Sequence, residues 1–474
     1  MHSNKIIIRG GVVWSMVSAD EPRTADVFID GSRIVAVGLD AQPFTQTDDP
    51  TVIDATGCVV MPGLINAHTH TPMTLMRSTL DGVGFPSPDA PSTMPRGQDW
   101  RGRLSPDDHY WASRLAIAEM IRSGTTTFVD MYRDMDQVAR AVVETGMRAA
   151  LGWEITTFRS DPHEWLPYDE RTARRTFDQC GRFAAEWHGK GDGRITAWIA
   201  PHETSTCHEP WLSRAARLSS EMNLGTVMHV AESEREVEFC RTKYGLSPVQ
   251  TIERAGILNR RVLGAHTLLV TDADIRTLSM APYTAVACLG CYVKLAMPVT
   301  PVPRLLEAGV NVALGTDGAA TNNNLSLWDE IYLNATIHGF LAKNPALLSG
   351  EGAIRLATVG GAVGLGLEEE IGTIEPKKRA DIIVLDFGKP HLAPLEAALI
   401  GNLTYSAGGH DVRDVLVDGK VLMRDRRIVA FDEKEVLRQA HGIVRKHRAA
   451  VGLPLRYGRD LPAPVQSDKK GSPA

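Results

Sequence analysis

Apolar residues in this chain gather in short runs, and most of the gaps between them carry the three-to-four-residue spacing of helices. The strand-like runs are 58–70, 125–132, 147–155, 194–203, 225–233, 261–270, 284–290 and 311–318. Helical spacing covers 107–123, 135–144, 209–223, 247–255, 272–280, 302–308 and 327–341. Strand then helix, repeated, means parallel strands joined by helical crossovers. Eight such units close into a (β/α)8 barrel, a TIM barrel, whose active sites sit at the C-terminal ends of the strands.

The two ends of the chain have a different rhythm. Residues 5–13 and 26–38 are β-rich, with a turn signal at Asp30-Gly31. The same pattern returns at 380–386 and 412–423, with a turn at Asp418-Gly419. Open strand edges need partners. The pattern therefore predicts a small β-sandwich built from both ends, 1–60 with 376–430, around a barrel over 61–375; two separate hairpins are the alternative. Residues 431–474 read as a C-terminal helix followed by a disordered tail. Residues 84–98 are rich in Pro, Ser and Gly and read as a loop over the barrel mouth.

Length changes this picture little. A chain of 474 residues averages about three domains, but barrels break that rule. The net charge of −6 argues against a nucleic-acid or anionic-membrane partner. No apolar run is long enough to span a bilayer, and no secretory h-region precedes the first strand. Six cysteines in a chain this long do not make a disulfide framework. The expectation is a cytoplasmic enzyme with a small-molecule substrate.

The chemistry lies at the strand ends. His68 and His70 close the first run, and side chains two apart on a strand share a face. Two imidazoles aimed at one point chelate a metal, most often zinc. An isolated pair of this kind is usually a loop accident. Here four more polar strand ends follow in barrel order: Pro201-His202-Glu203, His229-Val230-Ala231-Glu232, Ala265-His266 and Thr316-Asp317-Gly318.

These segments carry a resemblance. Pro62-Gly63-Leu64-Ile65-Asn66-Ala67-His68-Thr69-His70, Gly124-Thr125-Thr126-Thr127-Phe128-Val129-Asp130-Met131-Tyr132, His229-Val230-Ala231-Glu232, Gly315-Thr316-Asp317-Gly318-Ala319-Ala320-Thr321-Asn322-Asn323 and Gly372–Asp381 resemble the amidohydrolase superfamily. The likeness runs from about residue 5 to residue 430. It is strongest to the branch of S-adenosylhomocysteine and methylthioadenosine deaminases and s-triazine hydrolases. The resemblance implies a distorted barrel in which His68, His70, His229 and Asp317 bind one divalent metal, zinc by default, with Fe2+ or Co2+ as alternatives. It implies that Glu232 shuttles a proton from the metal-bound water to a substrate ring nitrogen. His266 would hydrogen-bond the hydroxide or the tetrahedral oxygen, Asp317 would pass a proton to the leaving amine, and His202 would orient substrate. Two-metal members of the superfamily carry a carboxylated lysine on strand four. Residues 194–202 hold no Lys, so a single metal is expected.

Two segments depart from the branch. Relatives carry a Ser-His-Asn-Pro-like stretch after strand seven, where this chain has Val286-Ala287-Cys288-Leu289-Gly290-Cys291-Tyr292. They also carry an arginine after strand three, where this chain has Gly152-Trp153-Glu154. Both changes favour a flatter, less polar substrate, and its strand-end position makes Trp153 a candidate substrate contact. Cys288 and Cys291 lack a second CxxC pair and read as packing thiols. His109, His163, His188, His208, His338, His391, His410, His441 and His447 lie without convergent partners and read as solvated or capping.

The reading is a metal-dependent hydrolase. It deaminates an amino-substituted N-heteroaromatic compound of purine, pterin or triazine type, by attack of metal-bound hydroxide on the ring carbon. Dechlorination or dealkylamination of an s-triazine, or cleavage of a urea, carbamate or cyclic amide, is the alternative. A binding protein without catalysis is a third reading, opposed by the complete set of site residues. Barrels of this kind often pair, so a homo-oligomer is expected.

Overall fold

The structure is a computed structural model that describes residues 5–17, 21–45, 48–79, 103–158, 167–394 and 398–450. The expected loop at 84–98 and the expected tail from 459 lie outside the described residues.

Eight parallel strands follow one another around a nearly closed barrel: β1 (Leu64–Thr69), β2 (Thr125–Tyr132), β3 (Arg148–Ile155), β4 (Ile195–Pro201), β5 (Thr226–Val230), β6 (Val262–His266), β7 (Tyr283–Ala287) and β8 (Asn311–Leu314). Every residue of β1, β2, β5, β6 and β7 is buried, as expected of strands covered on both faces. β1 and β8 meet just past the end of β8. The Thr316 and Asp317 amides donate to the His68 carbonyl at 3.1 and 3.0 Å, and the Asn66 side chain brackets Thr316. Gly315 makes this approach workable, because a Cβ there would lie 2.8 Å from the His68 backbone nitrogen.

The predicted run 58–70 proves to be two strands in two sheets. Cys58–Pro62 pairs with Ile382–Asp386 in an end-domain sheet, and β1 begins at Leu64. The break falls at Gly63, where a Cβ would collide with Thr126. Both chain ends join in one nine-stranded mixed sheet. Its edge strand Arg33–Val37 curls back so that the Ile34 amide donates to Lys378 O and Ala380 N to Ser32 O. Alternation divides its side chains: Cys58 and Val60 face the sheet's own core with Ile8, Val27 and Ile382, whereas Val59 and Met61 face the barrel.

Crossover helices cover the barrel. Two of them escaped the sequence reading, Glu170–Trp187 and Glu234–Tyr244. The second buries only Glu236 and Cys240, so it has no apolar stripe to detect. Their starts are set by side-chain caps: Asp169 accepts from the Thr172 amide and Ser233 from the Glu236 amide. The run 284–290 also differs. β7 ends at Ala287, and a helix, Leu289–Leu295, starts at once, so Cys288 and Cys291 sit at a helix start. Both thiols are fully buried and unpaired.

Among the described residues no helix is long and apolar enough to cross a membrane.

Candidate active site

Strand alternation and barrel closure bring the expected residues to one point at the C-terminal mouth. The donor atoms of His68, His70 and His229 lie within 4.8 Å of one another. His70 Nε2 is 3.4 Å from His229 Nε2 and 3.4 Å from Asp317 Oδ1, and His68 Nε2 is 3.6 Å from the same oxygen. Bonds of 2.0–2.2 Å to a tetrahedral ion place ligand atoms roughly 3.3–3.6 Å apart, so these spacings fit a metal. All four residues are buried.

Hydrogen bonding also fits. The Met131 carbonyl, 2.7 Å from His70 Nδ1, can only accept, so Nδ1 carries the proton and Nε2 offers a lone pair. Neither ring nitrogen of His68 has a hydrogen-bond partner, nor does His229 Nδ1. A buried polar atom left this way costs about 1–3 kcal/mol, and a cation on the Nε2 side answers that cost at His68 Nε2. Burial depresses the His68 and His229 imidazoles, keeping them neutral, as ligands must be. Burial pushes the Asp317 carboxyl up, but the His68 contact and the neighbouring His70 and His266 outweigh it and keep it ionised. The Gly318 amide holds Asp317 Oδ1 at 2.7 Å and Thr321 holds Oδ2 at 2.6 Å.

Glu232 follows β5 and faces His266, with Oε1 3.5 Å from Nε2. Burial, then Glu203 and Asp317, push its carboxyl well above the ordinary range. Burial pushes the His266 imidazole down to about 3. His202 stands beside His229, ring centroids 4.7 Å apart, and its Nδ1 meets Thr206 Oγ1 at 2.7 Å.

Trp153 is a correction. Gly152 lies against Ala200 and Val227 inside the barrel, so alternation sends Trp153 outward. Its ring packs 6.3 Å from Phe183 of helix Glu170–Trp187 and under Arg182, not in the pocket. Glu154 points inward in its place, and burial raises its carboxyl to about 7.

Three further positions went unread in the sequence. The Tyr292 hydroxyl lies 3.2 Å from His266 Nδ1 and accepts from the Cys288 amide at 3.0 Å. Glu236 accepts from the Glu232 amide at 2.8 Å and from Thr204 Oγ1 at 2.7 Å, clamping the turn after β5 to the one after β4. Glu203 lies buried beside Glu232, its carboxyl raised by burial, then by Glu236, to about 8. A carboxylate directly after His202 was the one signal available for it.

Known proteins resemble this chain along nearly its whole length. The amidohydrolase family profile matches residues 59–422. The 5-methylthioadenosine/S-adenosylhomocysteine deaminase of Pelotomaculum thermopropionicum is 38% identical over 436 residues, covering 92% of this chain and 97% of that protein. The 5'-deoxyadenosine deaminase of Methanosarcina mazei is 36% identical, covering 92% and 96%. Among solved structures, a zinc-bound adenosine deaminase from Xanthomonas campestris superposes with a TM-score of 0.81 at 28% identity, covering 94% of this chain and 98% of that one. A zinc-bound atrazine chlorohydrolase from Arthrobacter aurescens superposes with a TM-score of 0.83 at 23% identity, covering 93% and 100%, which speaks for the fold alone. This chain belongs to the amidohydrolase family and is a metal-dependent hydrolase acting on carbon–nitrogen bonds.

Proposed function

We propose that this enzyme replaces the exocyclic amine of an aminopurine nucleoside, altered at its 5′ position, with an oxygen from water, releasing ammonia. The observation that carries this reading is the joint one: a complete site at the barrel mouth in a chain 38% identical, over 92% of its length, to a deaminase of such nucleosides. His68, His70, His229 and Asp317 would hold a single zinc ion; β4 offers no lysine for a second. A divalent ion there would supply a coordinated water whose pKa falls to about 7, a nucleophile available at neutral pH.

The protein's own groups do the rest. Glu232, its carboxyl made more basic by burial, takes one proton from the attacking water and delivers it to the ring nitrogen beside the amine. His266, neutral at physiological pH, donates from Nε2 toward oxygen developing at the ring carbon. Asp317, ionised, accepts the proton that the departing ammonia needs. Glu154, inward-facing at the end of β3, would line the pocket on the side of His70.

The segment after β7 favours a second reading. The thiols of Cys288 and Cys291 stand beside Asp317 and offer a polar nucleoside few strong hydrogen bonds, which suits a triazine better. Ammonia and chloride release from purified protein, offered adenosine, 5'-deoxyadenosine, methylthioadenosine, S-adenosylhomocysteine and chlorotriazines, separates the two. Ammonia stoichiometric with loss of the aminopurine is expected. Chloride release without aminopurine turnover would overturn the deaminase reading. Glu232→Gln should lose about 10²–10⁴ in turnover while retaining its metal.

A further inference from the structure

Two histidines with no convergent partner in the sequence meet on the far side of the molecule. His391 Nε2 lies 3.1 Å from Asp411 Oδ2, and His410 Nε2 lies 3.4 Å from the same oxygen. The two rings stand 5.3 Å apart, and the three donor atoms lie within 4.8 Å of one another. We propose that His391, His410 and Asp411 form a second, solvent-open binding site for a divalent transition metal of zinc type.

The first site gives an internal scale. There the Asp317 oxygen stands 3.4–3.6 Å from two imidazole nitrogens, and here the Asp411 oxygen stands 3.1–3.4 Å from two. The first set matches the edge of a tetrahedron around zinc, and the second lies at that edge or slightly inside it. The donors are also the right kind, two imidazoles and a carboxylate. Asp411 is fully buried and firmly aimed: the Gly408 amide donates to Oδ2 at 2.9 Å and Lys389 to Oδ1 at 2.8 Å. Burial pushes its carboxyl up, but Lys389, the Gly408 amide and His391 together hold it down, so it is ionised at neutral pH. His391 and His410 are 41% and 67% exposed, which leaves water to complete the shell.

Lys389 is the opposing charge. It occupies Oδ1 and also reaches the His410 carbonyl at 3.0 Å. His391 Nε2 straddles both oxygens, 3.2 Å from Oδ1 and 3.1 Å from Oδ2, while His410 meets Oδ2, and the repulsion of Lys389 makes this the weaker of the two sites. The site is remote from the chemistry. Gly409 packs on Ser123, immediately before β2, at the N-terminal end of the barrel, whereas the His68 cluster stands at the C-terminal mouth. A metal here would clip the loop after Ile382–Asp386 to the turn before Val412–Val417, and it would not be the second ion of a binuclear catalytic centre.

Equilibrium dialysis of the untagged holoenzyme against zinc chloride, with metal counted by mass spectrometry, tests this. The wild type should hold two equivalents per chain in total, and His391→Ala and His410→Ala one each, with catalytic turnover unchanged in both. A single equivalent in the wild type, or two retained by both variants, would overturn the proposal. Because the first equivalent and turnover are read in the same samples, failure of this site is distinct from failure of the catalytic assignment.

Discussion

At the scale of single residues, hydrogen-bond direction decides what each histidine can do. The Cys288 amide must donate to the Tyr292 oxygen, so the phenol proton is free to turn to His266 Nδ1. That leaves the proton of the neutral imidazole on Nε2, the nitrogen that faces Glu232. Removing the hydroxyl removes this preference. Tyr292→Phe should lower turnover about three- to tenfold with KM and metal content unchanged, the worth of one neutral hydrogen bond. Nitrogen-15 NMR of the His266 ring should show the Nδ1-protonated form gaining population. An unchanged tautomer with full activity would remove Tyr292 from the site. Nothing in the sequence pointed to this contact, because it joins the end of β6 to a helix, Leu289–Leu295, that the sequence reading did not assign.

At the scale of elements, helix Leu327–Ala342 holds the mouth from behind. Glu330, fully buried, accepts at Oε1 from the Gly290 amide and from Asn322 Nδ2, both at 3.0 Å. Asn322 in turn donates to the Thr316 carbonyl, next to Asp317, at 2.8 Å. Burial pushes the Glu330 carboxyl up to about 8 from its ordinary 4.5. The native state therefore keeps a proton that the unfolded chain releases, and this contribution to stability is complete below pH 4.5 and lost as pH rises through about 8. Glu330→Gln, neutral at every pH, should match the wild type near pH 5 and exceed it by about 1–3 kcal/mol at pH 9 in urea unfolding. Equal pH dependence in the two proteins would refute the buried acid. This helix was legible from its apolar spacing. Helix Glu234–Tyr244, which carries the Glu236 clamp, was not, because it buries two residues only.

At the scale of the molecule, the end domain is welded to the barrel at the face opposite the mouth. Arg148, at the start of β3, makes a two-pronged pair with Asp381 at 2.7 and 3.0 Å and reaches Asp418 at 3.3 Å. Arg379 shares Asp418 at 2.6 Å, and the Asp418 amide returns to Asp381 at 2.7 Å. These side chains, Arg379 apart, are almost fully buried, so deleting one partner strands charge in the interior. Arg148→Ala should cost about 3–5 kcal/mol of unfolding free energy, read from denaturant midpoints, with KM little changed in the protein that remains folded. A loss below about 1 kcal/mol would mean that the two bodies are held by apolar packing alone.

Local periodicity made the barrel and the ordered strand ends readable, since the alternation of strand with helix and the two-residue repeat of a strand are properties of short segments. It placed His68 and His70 on one face and found His202, His229, Glu232, His266 and Asp317 in barrel order. What it left open depends on contacts between distant segments. A barrel strand is apolar on both faces, so the run around Trp153 does not reveal which parity points inward; Gly152 against Ala200 decides it, and Glu154 takes the pocket. The division of 58–70 at Gly63, the grip of Tyr292 on His266 and the meeting of His391 with His410 are likewise matters of register and closure, which only the folded chain supplies.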